Sequence, residues 1–207
     1  EESMKAIKKY KGHCQCAISY TTSPVHTTEY YVELVKTMER MGADSICIKD
    51  MAGVLTPYNA YDLVKKLKDA TKLPIELHTH CTGGIAEMTY MKAVEAGVDI
   101  IDTAISPLSG GTSQPPTESM AVTLSEMNRN PKLNMDALLE VAEYFKPVRD
   151  KYMEEGILNP KVLLTDPQTL KYQVPGGMLS NLLSQMKQQG AESKYEEVLN
   201  EDRKSVV

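Results

Sequence analysis

A short strand followed by a helix recurs along the first half of the sequence, and this repeat constrains the fold more than any other feature. Runs rich in β-branched and apolar residues occupy positions 13–20, 45–49, 75–80 and 99–105. Strands that alternate with crossover helices predict an α/β fold with a parallel sheet. Because a (β/α)8 barrel contains eight such units and four are visible, we predict the C-terminal half of a TIM barrel, with the first half missing.

Each of the three helices in this repeat is predicted to direct one apolar face at the sheet. The first ends at Gly42, the second begins at Pro57, and the third runs from about Ile85 to Gly97, since proline favours the first turn and glycine the C-cap. Apolar residues recurring every three or four positions are expected to face inward. They are Tyr31, Leu34, Val35, Met38 and Met41, then Leu63, Val64 and Leu67, then Met88, Met91 and Val94.

The second half of the sequence changes to helices and turns. Asn134 is typical of a helix N-cap, and Pro147 is expected to interrupt or kink the helix that follows. We therefore predict half a barrel in residues 1–120 and a mostly helical extension in residues 121–201. The chain begins without methionine, and residues 202–207 fit no element and resemble a translated sequencing adapter. The interpretation is a gene fragment with a non-native tail.

Composition excludes several classes of protein. The net charge of −5 does not favour nucleic-acid binding, and no apolar run approaches the ~20 residues of a membrane span. No secretory signal opens the chain, so the cysteines are interpreted as reduced thiols of a cytoplasmic protein. They are Cys14, Cys16, Cys47 and Cys81. A zinc site at Cys14-x-Cys16 stays open, although the usual C-x-x-C spacing is absent.

Two of the four histidines close the third predicted strand. His78 and His80 are spaced i, i+2, so on a strand both side chains project from the same face. Imidazole is the commonest metal ligand, and α/β barrels carry their chemistry at the carboxyl ends of the strands. The pattern favours a metal site, and the alternative is a pair of histidines hydrogen-bonded to the backbone.

Lys49 ends the neighbouring predicted strand and follows Cys47 on the same face. A lysine directed into a barrel mouth is costly unless it is neutralised or paired. One interpretation is an ion pair with Asp50 or Asp102. The other is a lysine that takes up carbon dioxide as a carbamate and so becomes an anionic oxygen ligand for a metal. The residues alone leave both open.

Several motifs together resemble a known family. They are ISYTTSPVH at 18–26, IKDMAG at 48–53, LTP at 55–57, LHTHCTG at 77–83 and VPGGMLSNL at 174–182. In this order they resemble the carboxyltransferase barrel of biotin-dependent enzymes. That family includes the oxaloacetate decarboxylase α subunit and the carboxyltransferase subunit of pyruvate carboxylases whose activities lie on separate chains. The resemblance extends over residues 11–201.

The resemblance implies a role for four residues. Carbamylated Lys49 would bind a divalent metal (zinc, manganese or cobalt) together with His78 and His80, and an aspartate ligand would lie in the missing half. Ser180 would carry a proton between biotin and the pyruvate enolate. Ser180 stands where pyruvate carboxylases have threonine, which keeps the hydroxyl, and Cys81 stands where some members have aspartate.

The function implied is metal-dependent carboxyl transfer between biotin and pyruvate or oxaloacetate. The sequence has no AMKM-like attachment site, so a separate biotin carrier domain would supply carboxybiotin. The expected partners are a biotin carboxylase or membrane decarboxylase subunits. The full-length protein is expected to form a homodimer. Its expected location is cytoplasmic, or peripheral to the membrane through those subunits. The fragment itself is expected to be inactive. Two alternatives are an acyl-CoA lyase or synthase barrel, which also uses His-x-His, and an inactive barrel with a binding role.

Overall fold

A computed structural model describes residues 1–172, 176–195 and 197–198, and its sheet confirms the predicted parallel arrangement. The strands are β1 (Gln15–Ser19), β2 (Ser45–Asp50), β3 (Ile75–Thr79) and β4 (Ile100–Ile101). They pair in chain order and every pair is parallel. Consecutive strands lying side by side in this way are the arrangement of a (β/α)8 barrel, whereas a doubly wound sheet reverses its strand order.

The first of two compact units comprises residues 1–79 and 85–102 and contains the sheet. Its helices are α1 (Glu2–Lys9), α2 (Thr28–Arg40), α3 (Pro57–Ala70) and α4 (Ala86–Ala96). Thr27 caps α2 because its side chain accepts a hydrogen bond from the Tyr30 amide. Gly97 ends α4 with a φ of 99°, a conformation that favours glycine.

The apolar core of this unit lies on one face of the sheet. The strand residues of that face are almost wholly buried, and so are the helix residues predicted to face them: Ile18, Ile46, Ile48, Ile75, Leu77, Tyr31, Val35, Leu63, Val64 and Leu67. Burial of such a side chain contributes about 1.5–3 kcal/mol. The opposite face carries polar residues, and the candidate site is built on it.

Three sequence predictions need correction. Met41 and Met88 were predicted to face inward, but they are 41% and 54% exposed. In α4 the buried residues are Ala86, Thr89, Tyr90, Ala93, Val94 and Ala96. The buried face of α4 is therefore rotated by one residue from the predicted face that contained the methionines, and most of its side chains are small. The fourth strand is also shorter than predicted, because the Asp102 carbonyl accepts a hydrogen bond from the Tyr90 hydroxyl rather than continuing the ladder.

The second unit comprises residues 80–84 and 103–207, of which residues 173–175, 196 and 199–207 are not described. Its helices are α5 (Thr117–Glu126), α6 (Met135–Glu154), α7 (Thr169–Tyr172) and α8 (Gly176–Gln188). Asn134 caps α6, as predicted, by accepting a hydrogen bond from the Ala137 amide, and Pro147 lies within the helix without ending it.

Part of the sequence interpretation falls outside the described residues. The tail 202–207 lies there, as do the turn residues 173–175 before α8. The division into residues 1–120 and 121–201 stays a prediction. Within the described part of the chain, none of the helices combines the length and the hydropathy that a membrane span requires.

Candidate metal centre

Strand register places Lys49 beside His78. Lys49 pairs with Ser19 of β1 on one side and with His78 of β3 on the other. In-register residues of parallel strands project from the same face, with their strands ~4.8 Å apart. Both side chains therefore project from the face of the sheet opposite the helices, at the carboxyl ends of their strands, as the sequence predicted.

The His78 imidazole is held by a carboxylate at the end of the next strand. Its Nδ1 lies 2.7 Å from Oδ2 of Asp102, and the two side chains are 19% and 39% exposed. A carboxylate only accepts hydrogen bonds, so the network assigns the proton to Nδ1. A metal-binding histidine usually donates its other ring N–H to a carboxylate or a carbonyl in this way. This arrangement leaves the lone pair of His78 Nε2 available to bind a metal.

His80 is the residue directly after β3 and keeps the extended backbone, with φ −92° and ψ 149°. It belongs to the second unit, where its Nδ1 lies 2.6 Å from the carbonyl oxygen of Thr112. The Cys81 amide donates to the carbonyl of Ser113 at 2.8 Å, so two successive residues are tied to one loop. The second histidine therefore also has its δ nitrogen bound to an oxygen acceptor.

Lys49 forms no ion pair within 4 Å with any residue that the structure describes. Asp50 points to the opposite face of the strand, where its carboxylate accepts hydrogen bonds from the amides of Val54 and Leu55. Asp102 binds His78 instead. Neither ion pair considered from the sequence forms among the described residues, and the role of Lys49 stays a prediction.

The same face of the sheet carries further polar residues, closer to the amino ends of β2 and β3. Cys47 is in register with Glu76, and Gln15 Nε2 donates to Oε2 of Glu76 at 2.9 Å. Burial, followed by the hydrogen bond that the thiol donates to Glu76, raises the pKa of the Cys47 thiol to about 12. The raised pKa favours the neutral thiol of Cys47 near pH 7.

Zinc at Cys14-x-Cys16 gains no support. Among the residues that the structure describes, no three His, Cys, Asp or Glu side chains form a group that could hold a metal ion. Burial raises the pKa of Cys16, with the neighbouring Cys14 as the next cause, which further disfavours the thiolate. The predicted set of Lys49, His78 and His80 contains only two residues of those four types.

Ser180 lies within α8 of the second unit. Its side chain is outside the described residues, so its predicted role in proton transfer stays a prediction.

Sequence reasoning missed two partners of the histidines. The sequence analysis considers Asp102 only as a partner of Lys49. Its position after the next strand is a usable signal, because the carboxyl ends of parallel strands meet at one edge. Nothing in the sequence singles out the Thr112 carbonyl, since every residue has a backbone carbonyl.

Comparison with known proteins agrees with this fold. Residues 1–145 match the HMGL-like family, and residues 169–205 match the conserved carboxylase domain. The chain is 55% identical over 201 residues to a pyruvate carboxylase subunit of Methanocaldococcus jannaschii, in an alignment that covers 97% of this chain and 35% of that protein. It is 47% identical over 201 residues to the methylmalonyl-CoA carboxyltransferase 5S subunit of Propionibacterium freudenreichii subsp. shermanii, with coverage of 96% and 39%.

A solved structure is also similar to this chain. The carboxyl transferase domain from Rhizobium etli pyruvate carboxylase with pyruvate and biocytin superposes with a TM-score of 0.88 and 36% identity, over 97% of this chain and 34% of that one. This chain thus spans between 34% and 39% of the length of these three relatives. It belongs to the HMGL-like family and folds as part of a barrel like that of the carboxyl transferase domain it resembles.

Proposed function

We propose that this chain provides the metal-binding part of a barrel that transfers a carboxyl group between biotin and an α-keto acid, either pyruvate or oxaloacetate. The observation that carries the proposal is Lys49 in register with His78, whose δ nitrogen is bound to Asp102. The relatives add support, because one is a pyruvate carboxylase subunit and a similar structure contains pyruvate and biocytin.

Lys49, His78 and His80 are the proposed ligands of one divalent cation. The Lys49 ammonium first loses one proton to solvent. The neutral amine then adds to carbon dioxide: an N–C bond forms, one C–O π bond breaks, and a second proton is released, so that the cation becomes an anionic oxygen ligand. Two imidazole nitrogens and a carboxylate-like oxygen suit zinc, manganese or cobalt. The i, i+2 spacing of the two histidines in the sequence is the pattern that supports a shared ion.

Asp102 and the Thr112 carbonyl fix the tautomers of the two histidines. With the proton held on Nδ1, the lone pair of each Nε2 is available in one fixed ring orientation. A divalent cation, when bound, supplies Lewis acidity that stabilises negative charge on the keto-acid oxygens. Lys49 contributes an anionic ligand that offsets part of the cation's charge.

Ser180 is the proposed proton carrier. When oxaloacetate loses its carboxyl group, a C–C bond breaks, an N–C bond forms on biotin, and the biotin N–H proton must move to the methylene carbon of the product. A hydroxyl can donate its own proton to the methylene carbon and accept the proton from the biotin nitrogen in the same turnover. The reverse direction uses the same two transfers in reverse order.

The partners follow from the reaction. Carboxybiotin arrives on a carrier domain, and the direction of transfer depends on whether a biotin carboxylase or a membrane decarboxylase subunit works with it. A cytoplasmic homodimer at full length is part of the same proposal. The match of residues 169–205 to the conserved carboxylase domain favours carboxyl transfer over the acyl-CoA lyase or synthase alternative.

The experiment replaces the aligned 201-residue segment of the M. jannaschii subunit with this chain and measures carboxyl exchange between carboxybiotin carrier and pyruvate. Ser180→Ala is expected to lower the rate by about 10²–10⁴-fold while metal content stays unchanged, and Ser180→Thr to retain most of it. Ser184→Ala, an exposed serine of the same helix, is the control. A fully active Ser180→Ala chimera would exclude Ser180 as the proton carrier, and an inactive parent chimera would contradict the proposed reaction.

A further inference from the structure

A buried carboxylate joins the carboxyl ends of β2 and β3. Asp50 is fully buried on the helix-covered face. Its Oδ1 accepts from the Val54 amide at 3.0 Å, and its Oδ2 accepts from the Leu55 amide at 2.9 Å and from Thr79 Oγ1 at 2.8 Å. Hydrogen bonds to charged groups are stronger than neutral ones, so Asp50 fixes the end of β3 to the loop after β2.

A buried tyrosine extends the connection to β4. Tyr90 of α4 is fully buried, and its hydroxyl accepts from the Thr79 amide at 3.2 Å and donates to the Asp102 carbonyl at 2.5 Å. The Asp102 side chain in turn binds His78. A continuous set of hydrogen bonds therefore runs from Asp50 through Thr79 and Tyr90 to Asp102, and we name these four residues the Asp50–Asp102 network.

The network holds the backbone at the two points that orient the proposed ligand His78. Thr79 is the residue directly after His78, and its amide and hydroxyl are both bound. Asp102 has its main chain bound by Tyr90 and its carboxylate bound to His78. A shift of either residue would change the direction of the His78 ring, and the bonds from Asp50 and Tyr90 hold both residues in place.

We infer that Asp50 and Tyr90 are positioning residues of the metal centre, which set the orientation and tautomer of His78 through Thr79 and Asp102. The inference rests on the proposed metal-binding function. Residues outside the direct ligands typically change metal affinity by about 10–100-fold when they are replaced, because ligand orientation is lost. Tyr90→Phe removes only the hydroxyl and keeps the ring volume.

Tyr31 provides a matched control in the same unit. It is 2% exposed, and its hydroxyl accepts from the Thr21 amide at 2.9 Å and donates to the Thr21 carbonyl at 2.8 Å. Tyr31→Phe therefore removes the same two kinds of backbone hydrogen bond from an equally buried tyrosine. It lies outside the Asp50–Asp102 network, so a general loss of packing or stability would affect both variants alike.

The test titrates the 207-residue chain with Co²⁺ in bicarbonate buffer and records thermal unfolding of each variant. Tyr90→Phe is expected to raise the Co²⁺ Kd by about 10-fold or more, whereas Tyr31→Phe changes it less than about twofold at a comparable loss of Tm. Equal Co²⁺ affinities of the two variants would overturn the inference. Thr79→Val removes the hydroxyl that binds Asp50 and should weaken Co²⁺ binding, whereas Thr79→Ser keeps a hydroxyl and should not. If Tyr90→Phe does not fold, these two variants test the positioning role instead.

A measurement without metal separates this inference from the proposed function. Nitrogen-15 NMR of the imidazoles, with His78→Ala to assign the signals, gives the fraction of His78 that carries its proton on Nδ1. Tyr90→Phe is expected to lower that fraction and Tyr31→Phe to leave it unchanged. Absence of Co²⁺ binding by the parent chain would contradict the metal centre, while an unchanged His78 tautomer in Tyr90→Phe would contradict the positioning role whatever the metal result.

Discussion

The two faces of the sheet carry opposite chemistry, although they alternate residue by residue along the same strands. On the helix-covered face Ile48 and Leu77 are completely buried among apolar side chains. On the other face Lys49 and His78, their immediate neighbours in sequence, are half-buried and polar. The apolar packing therefore lies on the helix-covered face and the proposed ligands lie on the other, and the Asp50–Asp102 network is the described connection between them.

The largest expected effect is on the covered face. Leu77→Ala should lower the free energy of unfolding by about 2–5 kcal/mol, because it removes a buried side chain and leaves a cavity. His78→Ala, one residue away on the other face, should change it by less than about 1 kcal/mol. Urea unfolding of both variants measures the difference. Similar losses in the two variants would break the separation between the faces.

A smaller effect is expected from the buried part of the polar face. The pKa of Cys47 is raised to about 12, above the value of a free thiol, so the folded state keeps a proton that the unfolded state loses. This stabilisation is intact below the unfolded pKa and disappears as the pH rises through the folded one. Between about pH 9 and pH 11 the free energy of unfolding should fall by up to ~1.4 kcal/mol per pH unit from this group.

Cys47→Ala tests that contribution. Its unfolding free energy should fall less steeply over the same alkaline range than that of the parent chain, measured by urea unfolding at several pH values. An identical slope in the two proteins would show that the thiol is not perturbed by its burial beside Glu76.

The smallest effect is expected at the open end of the polar face. Ser19 is exposed and in register with Lys49, and its side chain forms no hydrogen bond with any residue that the structure describes. Ser19→Ala should change the free energy of unfolding by less than about 0.5 kcal/mol. A loss comparable to that of Leu77→Ala, in the same urea assay, would mean that this end of the face is packed.

The sequence was sufficient for the parallel sheet and for placing Lys49 on the strand next to that of His78, because strand periodicity and the spacing of the units are local signals. The register that pairs the two residues is visible only in the structure. It was insufficient for the inward face of α4, since Met88 and Thr89 are adjacent and periodicity cannot choose between them. It also could not reveal that Tyr90 binds Thr79 and Asp102. Those contacts join different elements and depend on how α4 lies against the sheet.

The central claim is that Lys49 binds metal as a carbamate, and the dependence of metal affinity on carbon dioxide tests it most directly. The Co²⁺ Kd of the chain is measured in bicarbonate buffer and in carbon dioxide-free buffer for the parent, for Lys49→Ala and for Lys65→Ala, a control at an exposed helical lysine. We predict that removing carbon dioxide weakens Co²⁺ binding by the parent and by Lys65→Ala. Both then bind as weakly as Lys49→Ala, whose Co²⁺ affinity is the same in the two buffers. A parent affinity indifferent to carbon dioxide, or a Lys49→Ala variant that binds as tightly as the parent, would contradict the account.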